Sequence, residues 1–407
     1  MANPNWGMLS KSQTDNETVE EAIDRIVAEH SADETSHLGA GESLQSHKAA
    51  EIIDHLASSI IADKIGDGQI LEKHRHCISA WKRLLAMWPY LALGIIKKLW
   101  TGASGENDAF KLTFDGQYIY VGLVTSPAKV IKIDPSTMET VATWTGASGE
   151  NNCWGLTFDG TYIYASFGIS PGKVIKIDPS TMETVDTWTG ASGQDYVGAI
   201  TFDGTYIYAA LTFNSHKIVQ IDPSDMSTVA LWDNGIAGST IKDINFDGTY
   251  IYAAVQATPA RVFQIDPSDM STVATWTGAS GENDGYAIVF DGTYMYVGLY
   301  TSPAKVIRID LATMLTIDSW TGASGQNSTG ALTFDGTDVY VGLNISPAKV
   351  IRIDLATMTT KITWTAASGY NWCWALVFDG TYMYISFLTT PAYVIRKIMK
   401  DVDETEV

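Results

Sequence analysis

Residues 100–143 read WTGASGENDAFKLTFDGQYIYVGLVTSPAKVIKIDPSTMETVAT, and the pattern restarts at Trp144, Trp188, Trp232, Trp276, Trp320 and Trp364, every 44 residues, without insertion or deletion. A fixed period of this size marks a repeat architecture. Within the first unit, residues 111–114, 118–123, 129–134 and 139–143 are mostly rich in β-branched and aromatic residues and are bounded by turn residues. Asp115-Gly116 and Pro135-Ser136 supply turns, and Ser126-Pro127 breaks the second strand. Four short strands per unit predict a blade, and seven units predict a mainly β fold, a seven-bladed β-propeller over residues 94–407.

Apolar residues on both strand faces, such as Ile119 and Tyr120, suit a blade packed between two others. Small residues near the end of the second strand (Gly122, Ser166, Ala210, Ala254, Gly298, Gly342, Ser386) mark a crowded site. The seventh unit loses the pattern after Arg396, and residues 398–404 make a poor strand. Residues 95–100, IIKKLW, stand in register with residues 139–144. They are expected to supply the outer strand of the last blade and so close the ring without an open edge.

The copies differ unevenly. Phe114, Asp115, Gly116 and Tyr120 recur in all seven units, whereas three columns vary. One reads Val124, Gly168, Thr212, Gln256, Tyr300, Asn344, Leu388; the next Phe110, Trp154, Gly198, Lys242, Tyr286, Gly330, Trp374; the third Asp108, Asn152, Tyr196, Thr240, Asp284, Ser328, Trp372. In an up-and-down blade all three fall on one rim, and the uniform Asp-Gly and Asp-Pro or Asp-Leu turns fall on the other. Loops on a rigid scaffold carry binding residues, and Tyr and Trp offer large, rigid contact area. The candidate ligand-binding residues are therefore Phe110, Trp154, Tyr196, Phe213, Gln256, Tyr286, Tyr300, Asn344, Trp372 and Trp374. Drift at exposed loop tips is the competing explanation.

Acids outnumber bases 46 to 26, so a basic nucleic-acid footprint is absent. Cys77, Cys153 and Cys373 are too few for a disulfide framework. The N-terminus lacks the apolar run of a signal peptide, and the most apolar stretch, residues 84–96, is too short to span a bilayer. The Asp115 and Asp134 columns could suggest calcium, but turn chemistry explains both, and no metal or other cofactor is expected. No nucleophile–base pair or phosphate loop is legible, and His216 is the one histidine within the repeats, so an enzyme is not expected.

Residues 1–93 read as a helical region for attachment and oligomerisation. Val19, Ile23, Ile26 and Val27 form a narrow apolar stripe that a lone helix cannot bury, which points to association with other chains. A second stripe runs through Ile52, Ile53, Leu56, Ile60 and Ile61, and a third through Trp81, Leu84, Leu85 and Trp88, stopped by Pro89. His74-Arg75-His76 has the spacing of an axial iron site, but its helical surroundings favour ordinary exposed or capping histidines.

Two resemblances add to this. HSADETSHLGAGESLQSHKAAEIIDHLASSIIADKI, residues 30–65, resembles a segment of minor structural and tail-fibre-like proteins of phages and prophages of Gram-positive bacteria. It implies a virion component, assembled in the host cytoplasm, and carries over no functional residue. YIYVGL followed by KVIKIDPSTMETVAT resembles the YVTN-type propeller repeat, which implies a fold shared by enzymes, lectin-like modules and scaffolds. The expectation is a fibre-like virion protein whose N-terminal region joins other virion proteins and self-associates. Its propeller would meet a host-surface glycan or receptor. A lectin-like or scaffold propeller outside a virion, and a polysaccharide lyase or hydrolase, are the alternatives.

Overall fold

The computed structural model describes residues 99–212, 216–233, 235–236 and 239–398. The expected N-terminal helices, the His74-Arg75-His76 motif, Phe213 and residues 95–98 of the closing segment lie outside them. The described strands form seven four-stranded antiparallel sheets. After β1 (Leu99–Thr101), the first blade is β2 (Ala109–Phe114), β3 (Ile119–Leu123), β4 (Lys129–Asp134) and β5 (Glu139–Thr145). Blades two to six are β6–β9 (153–189), β10–β13 (197–233), β14–β17 (240–277), β18–β21 (285–321) and β22–β25 (329–365). The seventh holds β26 (Cys373–Phe378), β27 (Met383–Phe387) and β28 (Tyr393–Lys397). The chain is a seven-bladed β-propeller.

The seventh blade takes its fourth strand from the front of the ring. Leu99 pairs with Ile395, Trp100 with Val394 and Thr101 with Tyr393. The first strand of each blade touches the first strands of its neighbours, β2 against β26 included, so these strands line the centre.

Three recurring contacts account for the constant columns. The Asp of each Asp-Gly turn accepts two backbone N–H groups through one oxygen, as Asp115 does from Gln117 and Tyr118 at 2.7 and 2.6 Å. Its other oxygen accepts the hydroxyl of the buried Tyr five residues on, at 2.7–3.0 Å in all seven blades. Burial and that carboxylate push the ionisation of each such phenol up. Trp100, Trp144, Trp188, Trp232, Trp276 and Trp320 each donate Nε1–H at 2.9 Å to a Thr hydroxyl 40 residues on, joining one outer strand to the next. Trp100 in β1 makes this bond to Thr140 of the first blade, so the seam is tied like the other joints. A third set runs across the uniform rim, where Lys132 and Lys176 donate to Pro179 and Pro223 carbonyls at 2.8 Å. Arg396 donates to the Pro135 carbonyl and repeats this contact across the seam.

The small-residue column is crowded, and its crowding is shared. A Cβ on Gly122 would stand 2.6 Å from Cys153 Sγ, one on Gly342 2.4 Å from Cys373 Sγ, and one on Gly298 2.4 Å from the Thr329 methyl. At the other interfaces the same register sets Ser166 against Val197, Ala210 against Ile241 and Ala254 against Gly285. Each blade is thereby fitted to the one after it. Cys153 and Cys373 are buried free thiols that serve as small apolar knobs.

The sixth blade has one local exception. Where the other units carry Tyr118 or its equivalent, it carries Asp338, which is 2% exposed. In four blades a Lys or Arg lies over that Tyr ring. Here Arg352 Nε donates to the Asp338 carboxylate at 2.6 Å and Lys361 Nζ at 3.1 Å. Lys361 itself replaces a Val or Ile found in the earlier units.

Two outcomes follow from this packing. Gly342→Ala should destabilise the ring by about 1–3 kcal/mol through overpacking on Cys373, and Gly342→Ala with Cys373→Ala should recover most of that loss; thermal unfolding reads both. Asp338→Ala leaves two cations against a vacated site and should cost roughly 3 kcal/mol. Asp338→Tyr with Lys361→Val, which rebuilds the pattern of the other blades, should stay within about 1 kcal/mol by chemical unfolding.

Candidate functional site at the channel mouth

In every blade the pairing of the first two strands slips once. In the first blade Ala109 opposes Leu123 and Lys111 opposes Gly122, so Phe110 is the unpaired bulge residue. The same slip leaves out Trp154, Lys242, Tyr286, Gly330 and Trp374, and in the third blade it spans Gly198. A bulge breaks the period-two alternation and re-aims one side chain. One of the three variable columns, the one richest in large aromatics, is therefore the one the backbone turns away from both sheet faces.

Those side chains converge over the channel. Phe110 stacks on Trp374 with ring centroids 4.9 Å apart. Tyr286 lies 5.9 Å from Trp374, although the sixth blade stands between theirs; that blade's bulge residue is Gly330. Tyr300 joins at 5.1 Å from Tyr286, and the Lys242 ammonium lies 5.6 Å from the Tyr286 ring. Burial pushes the Lys242 pKa down and Asp284 opposes that shift. On the second and third blades Trp154 and Tyr196 stack at 6.5 Å. The rings therefore pack on one another rather than standing open for stacking, with Tyr300 and Trp372 the more exposed members at 38% and 47%.

The third variable column shares one backbone arrangement in six blades. Asp108, Asn152, Tyr196, Asp284, Ser328 and Trp372 have φ between 55° and 58°, the left-handed region. The N–H of each donates to the preceding blade, as Asn152 does to the Thr125 carbonyl at 3.0 Å. The carbonyl of each accepts from the second-strand end of its own blade, as Asp108 does from Val124 at 3.1 Å. The backbone is clamped on both sides while the side chain differs in most blades. Thr240 of the fourth blade is the exception: a β-branched residue, it extends β14 and pairs with Gln256 instead.

The first two columns vary together. Trp154 lies against Gly168, where a Cβ would stand 2.4 Å from its ring. Gly198 leaves room for Thr212, and Gly330 for Asn344, with hypothetical Cβ contacts of 2.1 and 2.6 Å. A large residue in one column is met by a small one in the other where space demands it. That pairing is a packing requirement between neighbouring side chains, and Tyr286 with Tyr300 keeps two large residues in contact. The uniformity of the opposite turns likewise has a structural cause in the Tyr–Asp bonds and argues nothing about selection on this rim.

One residue further along each first strand stands a column of mostly small residues. The column is Lys111, Gly155, Ala199, Asp243, Ala287, Ala331, Ala375. Lys111 Nζ of the first blade reaches Asp243 Oδ1 of the fourth at 3.7 Å, and Asp243 Oδ2 accepts the Ile288 N–H at 3.0 Å. Burial holds the Asp243 carboxyl above the usual range, and Lys111 pulls it back. This cross-channel pair was missed by sequence reasoning, though two charges in an otherwise Gly/Ala column were its signal. The bulge was missed too; its signal was the spacing of three between buried Ala109 and Leu112. Among the described residues no group of three His, Cys, Asp or Glu side chains could hold a metal ion.

No family model matches the chain, and no curated protein matches it. Among solved structures it is similar to the β-propeller domain of Cps50 (Swd1) from Myceliophteria thermophila, at 14% identity and a TM-score of 0.61, covering 74% of this chain and 100% of that one. At that identity the likeness concerns the fold. A bulky residue in the left-handed region costs on the order of 1 kcal/mol. Trp372→Asn should therefore raise stability by roughly 0.5–1 kcal/mol in thermal unfolding, since exposed Trp372 contributes little burial.

Proposed function

We propose that this chain is a fibre-like phage virion protein whose propeller recognises the host surface through the channel-mouth rim. The observation that carries the reading is the contrast between backbone and side chain there. Bulge and left-handed positions recur through the ring with nearly constant geometry, while the side chains they display differ from blade to blade. A rigid scaffold with variable display is how recognition loops are built, and the aromatic residues supply contact area at low entropic cost. The resemblance of residues 30–65 to virion proteins supports placing the chain in a particle, with the N-terminal region as its attachment and self-association segment. Binding proceeds by shape and by stacking on the two more exposed rings, Tyr300 and Trp372, with no covalent step. The ligand on this reading is a host-surface glycan or receptor.

Trp372→Ala combined with Trp374→Ala tests the reading. Adsorption of the purified chain to host cells should fall by more than roughly tenfold, as loss of interface aromatics does, while the circular dichroism of the propeller is kept. Unchanged adsorption would remove the rim as the binding surface, and absence of the chain from purified particles would remove the virion assignment.

A further inference from the structure

Over the sixth blade the ring of bulge side chains is interrupted by Gly330, and Asn344 fills the interruption. A Cβ on Gly330 would stand 2.6 Å from Asn344 Oδ1 and 2.3 Å from the Cys373 carbonyl oxygen. Asn344 is 9% exposed, yet neither its Nδ2 nor its Oδ1 has a hydrogen-bond partner among the described residues. The bulge residue of the next blade, Trp374, leaves its buried indole Nε1–H in the same condition. Folded proteins leave few such groups, because each has given up its hydrogen bonds to water. Three on adjoining blades, beside the densest aromatic cluster of the rim, point to a partner that the chain does not contain.

The three groups define what that partner must offer. Asn344 presents a donor and an acceptor, and Trp374 presents a donor. On the blades to either side are the rings of Tyr286 and Trp374, 5.9 Å apart, with Phe110 against Trp374 and Tyr300 against Tyr286. We propose that this position is a subsite for the acetamido group of an N-acetylated hexosamine. A secondary amide carries one carbonyl oxygen with two lone pairs, which can take both donors, and one N–H for Asn344 Oδ1. Its methyl group packs on aromatic carbon. A lone sugar hydroxyl can give one donor but has no methyl for the rings. A carboxylate or phosphate accepts only, and would leave Asn344 Oδ1 facing another acceptor. This inference rests on the rim being the recognition surface and narrows its ligand.

The experiment titrates the full chain with chitotriose and with cellotriose, a trisaccharide of the same linkage without acetamido groups, by calorimetry and tryptophan fluorescence. Chitotriose should bind at least about tenfold more tightly, the effect of one well-made hydrogen bond or more. Asn344→Leu and Trp374→Phe, the latter keeping an aromatic ring, should each weaken chitotriose roughly tenfold with unchanged thermal midpoints. Equal affinity for the two sugars, no saccharide binding, or chitotriose affinity indifferent to both variants overturns the subsite. Host-cell adsorption measured in parallel separates the two claims. If adsorption depends on Trp372 but not on Asn344, the subsite falls and the recognition rim stands; if it depends on neither, the rim reading falls as well.

Discussion

A closed ring of seven sheets gives every blade two faces to bury, and each face has one neighbour to be buried against. That requirement governs the rest of the molecule. Side chains of adjacent blades interlock within single clusters, as Tyr120, Val130 and Trp144 of the first blade do with Leu156, Ala165 and Ile175 of the second. The last interface must match the first, and it does: Trp100 and Val394 of the seventh blade pack with Leu112 and Ile131 of the first. A ring built this way has no free sheet face, which is why both strand faces are apolar and why one added methyl at Gly122 or Gly342 would meet a neighbouring sulfur.

Closure also explains how charge and polarity are distributed. On the uniform rim, each turn carboxylate is occupied by two backbone N–H groups and a tyrosine hydroxyl, and basic side chains reach from one blade to the next turn. Those positions are constrained by bonds within the fold. On the other rim, serine hydroxyls join successive blades, as Ser126 does in donating to Asn151 Oδ1, while at the left-handed positions the bond is between backbone groups, as between Asn152 N–H and the Thr125 carbonyl. A joint made by main chain alone leaves the side chain unspecified. The two rims therefore follow different rules for a physical reason, independent of what either rim binds.

The channel mouth combines both behaviours. Its bulge side chains are free of sheet packing but not of one another, so Trp154 requires Gly168 and Asn344 requires Gly330. Below them the Lys111–Asp243 pair joins blades on opposite sides of the ring and breaks its sevenfold repetition. The result is an asymmetric surface on a nearly symmetric frame, with aromatic bulge residues on the first, second, fifth and seventh blades and a cation at Lys242 on the fourth.

Much of this was legible in residue order alone. The 44-residue period, the Asp-Gly turns and the alternation of β-branched residues determined the blade, and the register of IIKKLW with the outer strands pointed to the partner of the seventh blade, seen in Leu99, Trp100 and Thr101. Local periodicity suffices for the first six blades because strand pairing within each is between neighbours in sequence, and the seventh follows because the repeat's register carries over to Leu99–Thr101. What only the tertiary structure decided is how positions from distant units meet. The bulge that turns Phe110, Tyr286 and Trp374 toward one another, the Lys111–Asp243 contact, and the unpaired amide of Asn344 over Gly330 all depend on ring curvature. Curvature comes from the summed fit of seven interfaces, and no single repeat contains it.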